Sequence, residues 1–102
     1  MLVRLLVESA DDIAAHQHAK ALFEASQSLL ESHPEWKKRT MICRLDQPGV
    51  TFLRGKHRWQ VFFRILVHPA TESLCGEISN LSRQEAPKGV DVWYEYNPTT
   101  MM

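Results

Sequence analysis

Cysteine is scarce in this sequence, and its two cysteines stand alone. Cys43 and Cys75 are 32 positions apart, and no Cys-x-x-Cys pair occurs. This spacing predicts neither a disulfide framework nor a zinc site, and we expect no metal ligands in the chain. Unpaired thiols are typical of a reducing compartment, so we expect the protein to be cytoplasmic.

Long hydrophobic runs, repeats and low-complexity tracts are also missing. No apolar run reaches the roughly 18 residues of a membrane span, and no small-residue cleavage site follows the apolar start, which argues against a signal peptide. The length of 102 residues allows one domain with a modest core. We therefore expect a single domain, residues 1–102, with no membrane contact.

Catalytic motifs are absent as well. Five residues separate Gly49 from Gly55-Lys56, whereas a P-loop has four there and a Ser or Thr after the lysine, where this chain has His57. His16 and His18 face different sides of a helix and do not form a metal-binding pair. The sequence thus predicts a non-catalytic domain with no cofactor of its own.

Strand and helix patterns alternate along the chain. Strand patterns cover residues 2–8, 40–46, 59–67 and 90–96. Helical patterns follow the first and third strands: Ser9 and Asp12 form a capping-box-like start of the first helix, which Pro34 ends, and Pro69 opens the second. The order is β-α-β-β-α-β. It predicts an α+β, ferredoxin-like split βαβ domain with a four-stranded sheet and two helices on one face.

Charge is balanced overall but not along the chain. Twelve Lys and Arg match twelve Asp and Glu, yet residues 37–64 hold eight cations and one acid, Asp46, about seven net positive charges. The eight are Lys37, Lys38, Arg39, Arg44, Arg54, Lys56, Arg58 and Arg64. Such a cluster attracts an anionic partner, phosphate or acidic peptide, although a solvated loop explains many clusters of this kind equally well.

The helix-free face of the sheet is expected to carry both charges and aromatic rings. Alternation places there Arg58, Gln60, Phe62, Arg64, Asp91, Trp93 and Glu95. Exposed aromatics of this kind either stack on bases or contact another domain, and we favour protein contact because the strands are apolar on both sides. Trp59 shares the parity of Val61 and Phe63, so we expect it in the core rather than against bases.

Two motifs resemble a known family. Residues 53–60 read Leu-Arg-Gly-Lys-His-Arg-Trp-Gln, and the chain closes with the strand 90–96 followed by Asn-Pro-Thr-Thr-Met-Met. Together with the element order, they resemble the C-terminal domain of the PriA family of primosomal replication-restart DNA helicases. Two features differ from the family pattern: Pro48 is the one proline of a loop that usually has several, and Asn97-Pro98 replaces Asp-Pro.

The resemblance implies a fold similar to a small-subunit ribosomal protein and an excised C-terminal domain of a larger helicase. It implies three partners: branched or single-stranded DNA, single-stranded-DNA-binding protein and the helicase core of the same chain. ATP and zinc belong only to parts of the family's full-length protein that this sequence lacks.

The resemblance also implies site residues. In the family, the basic residue after the glycine and the Gln after the aromatic form a pocket for the acidic tail of single-stranded-DNA-binding protein, and they correspond to Lys56 and Gln60. The residues expected to bind nucleic acid or another anion are Arg54, Lys56, His57, Arg58, Arg64, Lys37, Lys38 and Arg39. For Lys37, Lys38 and Arg39, a DNA track and a solvated loop stay equally open.

Two other functions fit the same fold. A ribosomal-type RNA-binding module would be expected to have a far more basic overall balance. A small-ligand regulatory domain would be expected to have a glycine-rich loop after the first strand, where this chain has Ser9-Ala10-Asp11-Asp12. Whether the basic corner, residues 53–60, contacts phosphate or an acidic peptide stays open.

Overall fold

The computed structural model describes residues 1–97, so the closing part of the terminal motif and the last five residues of the predicted domain lie outside the described residues. The elements within 1–97 are β1 Leu2–Ser9, α1 Asp12–Glu31, α2 Pro34–Lys37, β2 Thr40–Asp46, β3 Phe52–Leu53, β4 Lys56–Ile65, α3 Glu72–Ser82 and β5 Val90–Tyr96. A short 3-10 turn, Pro69–Thr71, leads into α3.

The strands form one antiparallel sheet in the order β2-β4-β1-β5, and β3 pairs with β4 alone. This is the ferredoxin-like α+β arrangement that the sequence predicts, with four main strands and two long helices. Two short elements, α2 and β3, were not predicted. The first strand lies inside the sheet because β4 and β5 pair on either side of it, which explains why β1 has apolar residues on both of its faces.

The core lies between one sheet face and the two long helices. Its buried residues are Val3, Leu5, Val7, Ala15, Ala19, Leu22, Leu30, Val61, Phe63, Ile65, Leu74, Ile78 and Val90. The strand residues in this set share one parity along β1 and β4, so both helices cover the same face. The opposite face carries the other parity, and no helix of residues 1–97 covers it; we call it the helix-free face.

The helix boundaries differ from the predicted ones for local reasons. Asp11, not Ser9, caps α1: its carboxylate accepts hydrogen bonds from the backbone N–H groups of Ile13 and Ala14 at 3.0 and 3.3 Å. The predicted capping box from Ser9 to Asp12 is therefore wrong, and the Ser9 hydroxyl accepts from the Asp11 N–H instead. α1 ends at Glu31, and Pro34 begins α2, where a missing N–H has no consequence.

β4 begins three residues earlier than predicted and ends two residues earlier. It begins early because Arg54 and Gly55, with φ of 54° and 79°, close a two-residue hairpin between β3 and β4. Two successive positive φ values are what a type I′ hairpin turn needs. β4 ends at Ile65, and the next N–H, that of Leu66, already bonds to the Arg39 carbonyl outside β2.

No helix within residues 1–97 is both long and apolar enough to cross a membrane.

Replacing Phe63 by alanine should lower the free energy of unfolding by about 3–5 kcal/mol, because this fully buried ring would leave a cavity in the core. Urea denaturation followed by tryptophan fluorescence measures the change. Leu66→Ala is the matched control: its side chain is half exposed, and its effect should stay within about 0.5 kcal/mol. Equal losses in the two variants would contradict this assignment of the core.

Candidate functional site

The basic corner forms a hairpin tip that projects past the end of the sheet. We use "hairpin tip" for residues 52–57. The last residue of β1, Ser9, pairs with His57, and the last residue of β2, Asp46, pairs with Gln60. The residues before His57 therefore have no β1 or β2 partner, and the backbone pairing that holds them is that of the hairpin itself.

Arg54 is the exposed cation at the turn of this tip. Within residues 1–97, the Arg54 guanidinium forms no ion pair and no hydrogen bond. Its left-handed backbone angle, φ 54°, is unusual for a residue with a Cβ. Gly55 adopts φ 79° next to it, a conformation that glycine reaches without steric cost.

Lys56 forms an exposed ion pair across the end of β1. Its Nζ donates to Asp91 Oδ2 on β5 at 2.6 Å, and both side chains keep more than two fifths of their surface accessible. The hydrogen bond to Asp91, helped by the charge of that carboxylate, raises the pKa of Lys56 above its ordinary value. Lys56 is therefore charged at neutral pH, and its partner is one that an incoming anion can replace.

Arg58 points away from the helices, as predicted, but it is buried. Its Nε donates to Glu8 Oε2 and its Nη1 to the Val50 carbonyl, both at 3.1 Å. The other Glu8 oxygen accepts from Trp93 Nε1 at 3.0 Å. Only 5% of the Arg58 side chain is accessible, so its charge is used inside the protein, where it joins β4, β1 and the loop before β3.

Gln60 is enclosed in the same way. Its Nε2 donates to Asp46 Oδ1 at 2.8 Å, and its Oε1 accepts from Arg4 Nη1 at 3.2 Å. Arg4 is itself buried and paired with Glu95 on β5. A polar network thus crosses all four main strands on the helix-free face, and both ends of the Gln60 amide are occupied in it.

Trp59 and His57 lie on the other face, beside the start of α1. Trp59 Nε1 donates to Asp12 Oδ1 at 2.9 Å, and its ring stacks on His16 with centroids 4.0 Å apart. The half-buried Trp59 packs against the core, as its parity predicts. His57 contacts the ring of Phe52, with centroids 4.8 Å apart and the rings tilted by 55°.

The second basic cluster is neutralised by acids and lies at the opposite end of the sheet. Lys37 pairs with Glu31 at 2.6 Å, while Lys38 and Arg39 both pair with Glu35. The Arg39 carbonyl accepts from the Leu66 N–H, just past the far end of β4. The hairpin tip and this cluster are therefore not parts of one surface.

Arg64 belongs to that far end. It is exposed on the helix-free face, and no acid within residues 1–97 pairs with it. Eight strand positions separate it from Lys56, roughly 26 Å at about 3.3 Å per residue. No single compact ligand therefore reaches both residues.

The charge excess along the sequence largely disappears in three dimensions. Six of the eight cations between residues 37 and 64 have a carboxylate partner, and these partners are Glu8, Glu31, Glu35, Asp46 and Asp91. Four of these acids lie outside the window in sequence. Arg54 and Arg64 are the cations of the window without such a partner inside the described range.

Sequence reasoning missed Phe52, which belongs to the same corner. Phe52 pairs with His57 across the hairpin, and 54% of its side chain is accessible. The available signal was the Arg54-Gly55 pair between strand-like residues, which marks a two-residue hairpin less strongly than Asn-Gly. Had the hairpin been recognised, Phe52 would have been placed on its tip.

Two further features bear on the chemistry of the molecule. Within the described part of the chain, no group of three or more His, Cys, Asp or Glu side chains is arranged to hold a metal ion. A groove of about 440 Å³ lies beside Met1, Val67, Pro69, Cys75 and Tyr96. None of the site residues predicted from the sequence lines it.

No protein-family model matches this chain, and no curated protein matches it.

Arg58→Ala should lower the free energy of unfolding by about 3–5 kcal/mol, because it leaves the carboxylate of Glu8 partly buried and without its cation. Arg54→Ala removes the same charge from an exposed position and should change stability by no more than about 0.5 kcal/mol. Thermal and urea unfolding of both variants measure the difference. Similar stabilities of the two variants would show that the ion pair of Arg58 with Glu8 is not a buried, stabilising contact.

Proposed function

We propose that this chain is the non-catalytic C-terminal DNA- and partner-binding domain of a PriA-like replication-restart helicase in the cytoplasm. In this role it binds branched or single-stranded DNA and the acidic tail of single-stranded-DNA-binding protein during primosome assembly. The family resemblance of residues 53–60 supplies the biological context. The observation that carries the binding role is the projecting hairpin tip, whose Arg54 is unpaired within residues 1–97.

Arg54 and Lys56 are the proposed anion contacts of the tip. A guanidinium binds phosphate or carboxylate with two parallel hydrogen bonds, and that of Arg54 has no partner to give up in the described part of the chain. Lys56 joins it by exchanging Asp91 for the anion. This exchange is easy because exposed ion pairs contribute little to stability.

Arg58 and Gln60 are proposed to act as positioning residues. Both are buried, and both already bond to carboxylates of neighbouring strands. They hold β4 against β1 and β2, so the tip projects from a fixed base. Lys56 would then supply the direct contact in the pocket for the acidic tail, with Gln60 fixing the strand that carries it.

The helix-free face is proposed to contact the helicase core of the same chain. Trp93 is 55% accessible there, and Phe62 and Ile42 are half-buried on the same face. The charged network between them is internally paired, so this face presents aromatic and aliphatic groups, with Arg64 at its far end as an exposed cation that has no acid partner within residues 1–97. Such a surface favours protein over nucleic acid.

Removing Arg54 should weaken DNA binding through the loss of one phosphate contact. The logarithm of the affinity of Arg54→Ala for single-stranded DNA should fall less steeply with the logarithm of salt concentration, by about 0.7 in slope. Fluorescence anisotropy over a range of salt concentrations measures both slopes, with branched DNA as a second ligand.

Lys20→Ala is the control for charge alone, because Lys20 is exposed on α1 and has no ion partner in the described part of the chain. It should bind like the wild type. Binding that does not depend on salt, or equal losses in the two variants, would rule out phosphate contacts at the tip.

Lys56→Ala should reduce the affinity for a peptide that copies the acidic tail by several-fold at low salt, since the peptide loses its lysine contact. Lys88→Ala is matched in charge: Lys88 is exposed just before β5 and has no ion pair within residues 1–97. Isothermal titration calorimetry compares the two. An unchanged affinity in Lys56→Ala would remove Lys56 from the pocket.

A further inference from the structure

We propose that Phe52 is a stacking site for an unpaired base and that Arg54 holds a neighbouring phosphate, so that the hairpin tip binds single-stranded nucleic acid. This inference rests on the proposed DNA-binding function and adds to it a residue and a mode of recognition. It also selects nucleic acid over an acidic peptide as the ligand of Phe52 and Arg54, whereas Lys56 remains the proposed contact of the acidic tail.

Packing inside the domain does not account for Phe52. Its pairing with His57 places it on the helix-covered side of the sheet, the side of Trp59 and the core. However, its neighbour His57 already lies beside Asp12, the first residue of α1, at 3.9 Å, and Phe52 is not among the hydrophobic residues that pack on the core. Of the four phenylalanines, all within the described range, Phe52 alone is more than half accessible.

The surroundings of Phe52 suit a base better than an aliphatic side chain. One contact to the ring is aromatic, from His57, and more than half of the side chain is free for a second ring. Base–aromatic stacking does not depend on sequence, because every base has a π-face. Arg54 follows two residues later, so the Cα atoms of Phe52 and Arg54 are at most roughly 7 Å apart. One ligand can therefore contact both side chains.

The charge balance of the tip favours nucleic acid over an acidic peptide. Arg54 is the one cation of the tip without a partner in the described residues. Two carboxylates lie beside the tip: that of Asp12 is 3.9 Å from His57, and that of Asp91 is 2.6 Å from Lys56. A peptide with several carboxylates would meet one free cation and two acids. A nucleotide needs one cation for its phosphate and gains the rest of its affinity from stacking.

Two oligonucleotides of equal length separate stacking from charge: oligo-dT, and a chain of abasic sites with the same phosphates. Phe52→Leu in the 102-residue chain should lower the affinity for oligo-dT roughly 5- to 150-fold and leave the affinity for the abasic chain unchanged. Phe52→Trp should retain binding of oligo-dT. Arg54→Ala should weaken both ligands.

The outcomes distinguish this inference from the function on which it rests. If Phe52→Leu binds oligo-dT like the wild type while Arg54→Ala loses affinity, the stacking site is refuted and the DNA-binding function stands. If the wild type binds neither oligonucleotide nor branched DNA, both are refuted. A loss in Phe52→Leu confined to the acidic tail peptide would assign the tip to that peptide and overturn the proposal. Unchanged thermal unfolding shows that each variant is folded.

Discussion

The pairing of β1 with β4 is the constraint on which the rest of the structure depends. Its eight-residue register sets Glu8 opposite Arg58 on the helix-free face and puts Val3, Leu5 and Val7 under the helices. A slip of β1 by one residue would turn Glu8 towards the core, leave Arg58 without its carboxylate on the helix-free face, and expose Val3, Leu5 and Val7. The ion pair and the core thus favour the same register, and they reject the same alternatives.

Element order and the facing of side chains could be read from the sequence, because both follow from local periodicity. The strands 40–46 and 90–96 have the predicted bounds, and the parity of Trp59 placed it correctly. The sequence could not show in this way which cations are paired with acids in the folded protein. The partners of Lys56 and Arg58 are 35 and 50 residues away, so a window of sequence counts cations that the fold has already paired. The hairpin was missed because Arg-Gly is a weaker turn signal than Asn-Gly.

The basic corner therefore combines two kinds of residue in one short segment: Arg58 and Gln60 form internal hydrogen bonds, and Arg54 is exposed at the turn. Alternate residues of β4 are tied into the sheet, while the turn before them stays free. A rigid strand that ends in a small, accessible tip positions a few groups accurately, and this lowers the entropy lost when a flexible, extended ligand binds. The same arrangement leaves Arg54 as an exposed cation, unpaired within the described residues, at the tip of a domain whose formal net charge is zero.

The left-handed backbone of Arg54 has a consequence for which substitutions this turn favours. A residue with a Cβ loses about 1 kcal/mol or more in that conformation relative to glycine, so folding alone favours glycine at position 54. At position 54, selection for stability therefore favours glycine, whereas selection for a charged side chain favours arginine. Variants selected for thermostability alone should drift towards glycine or asparagine at the turn, whereas selection for binding should retain the arginine.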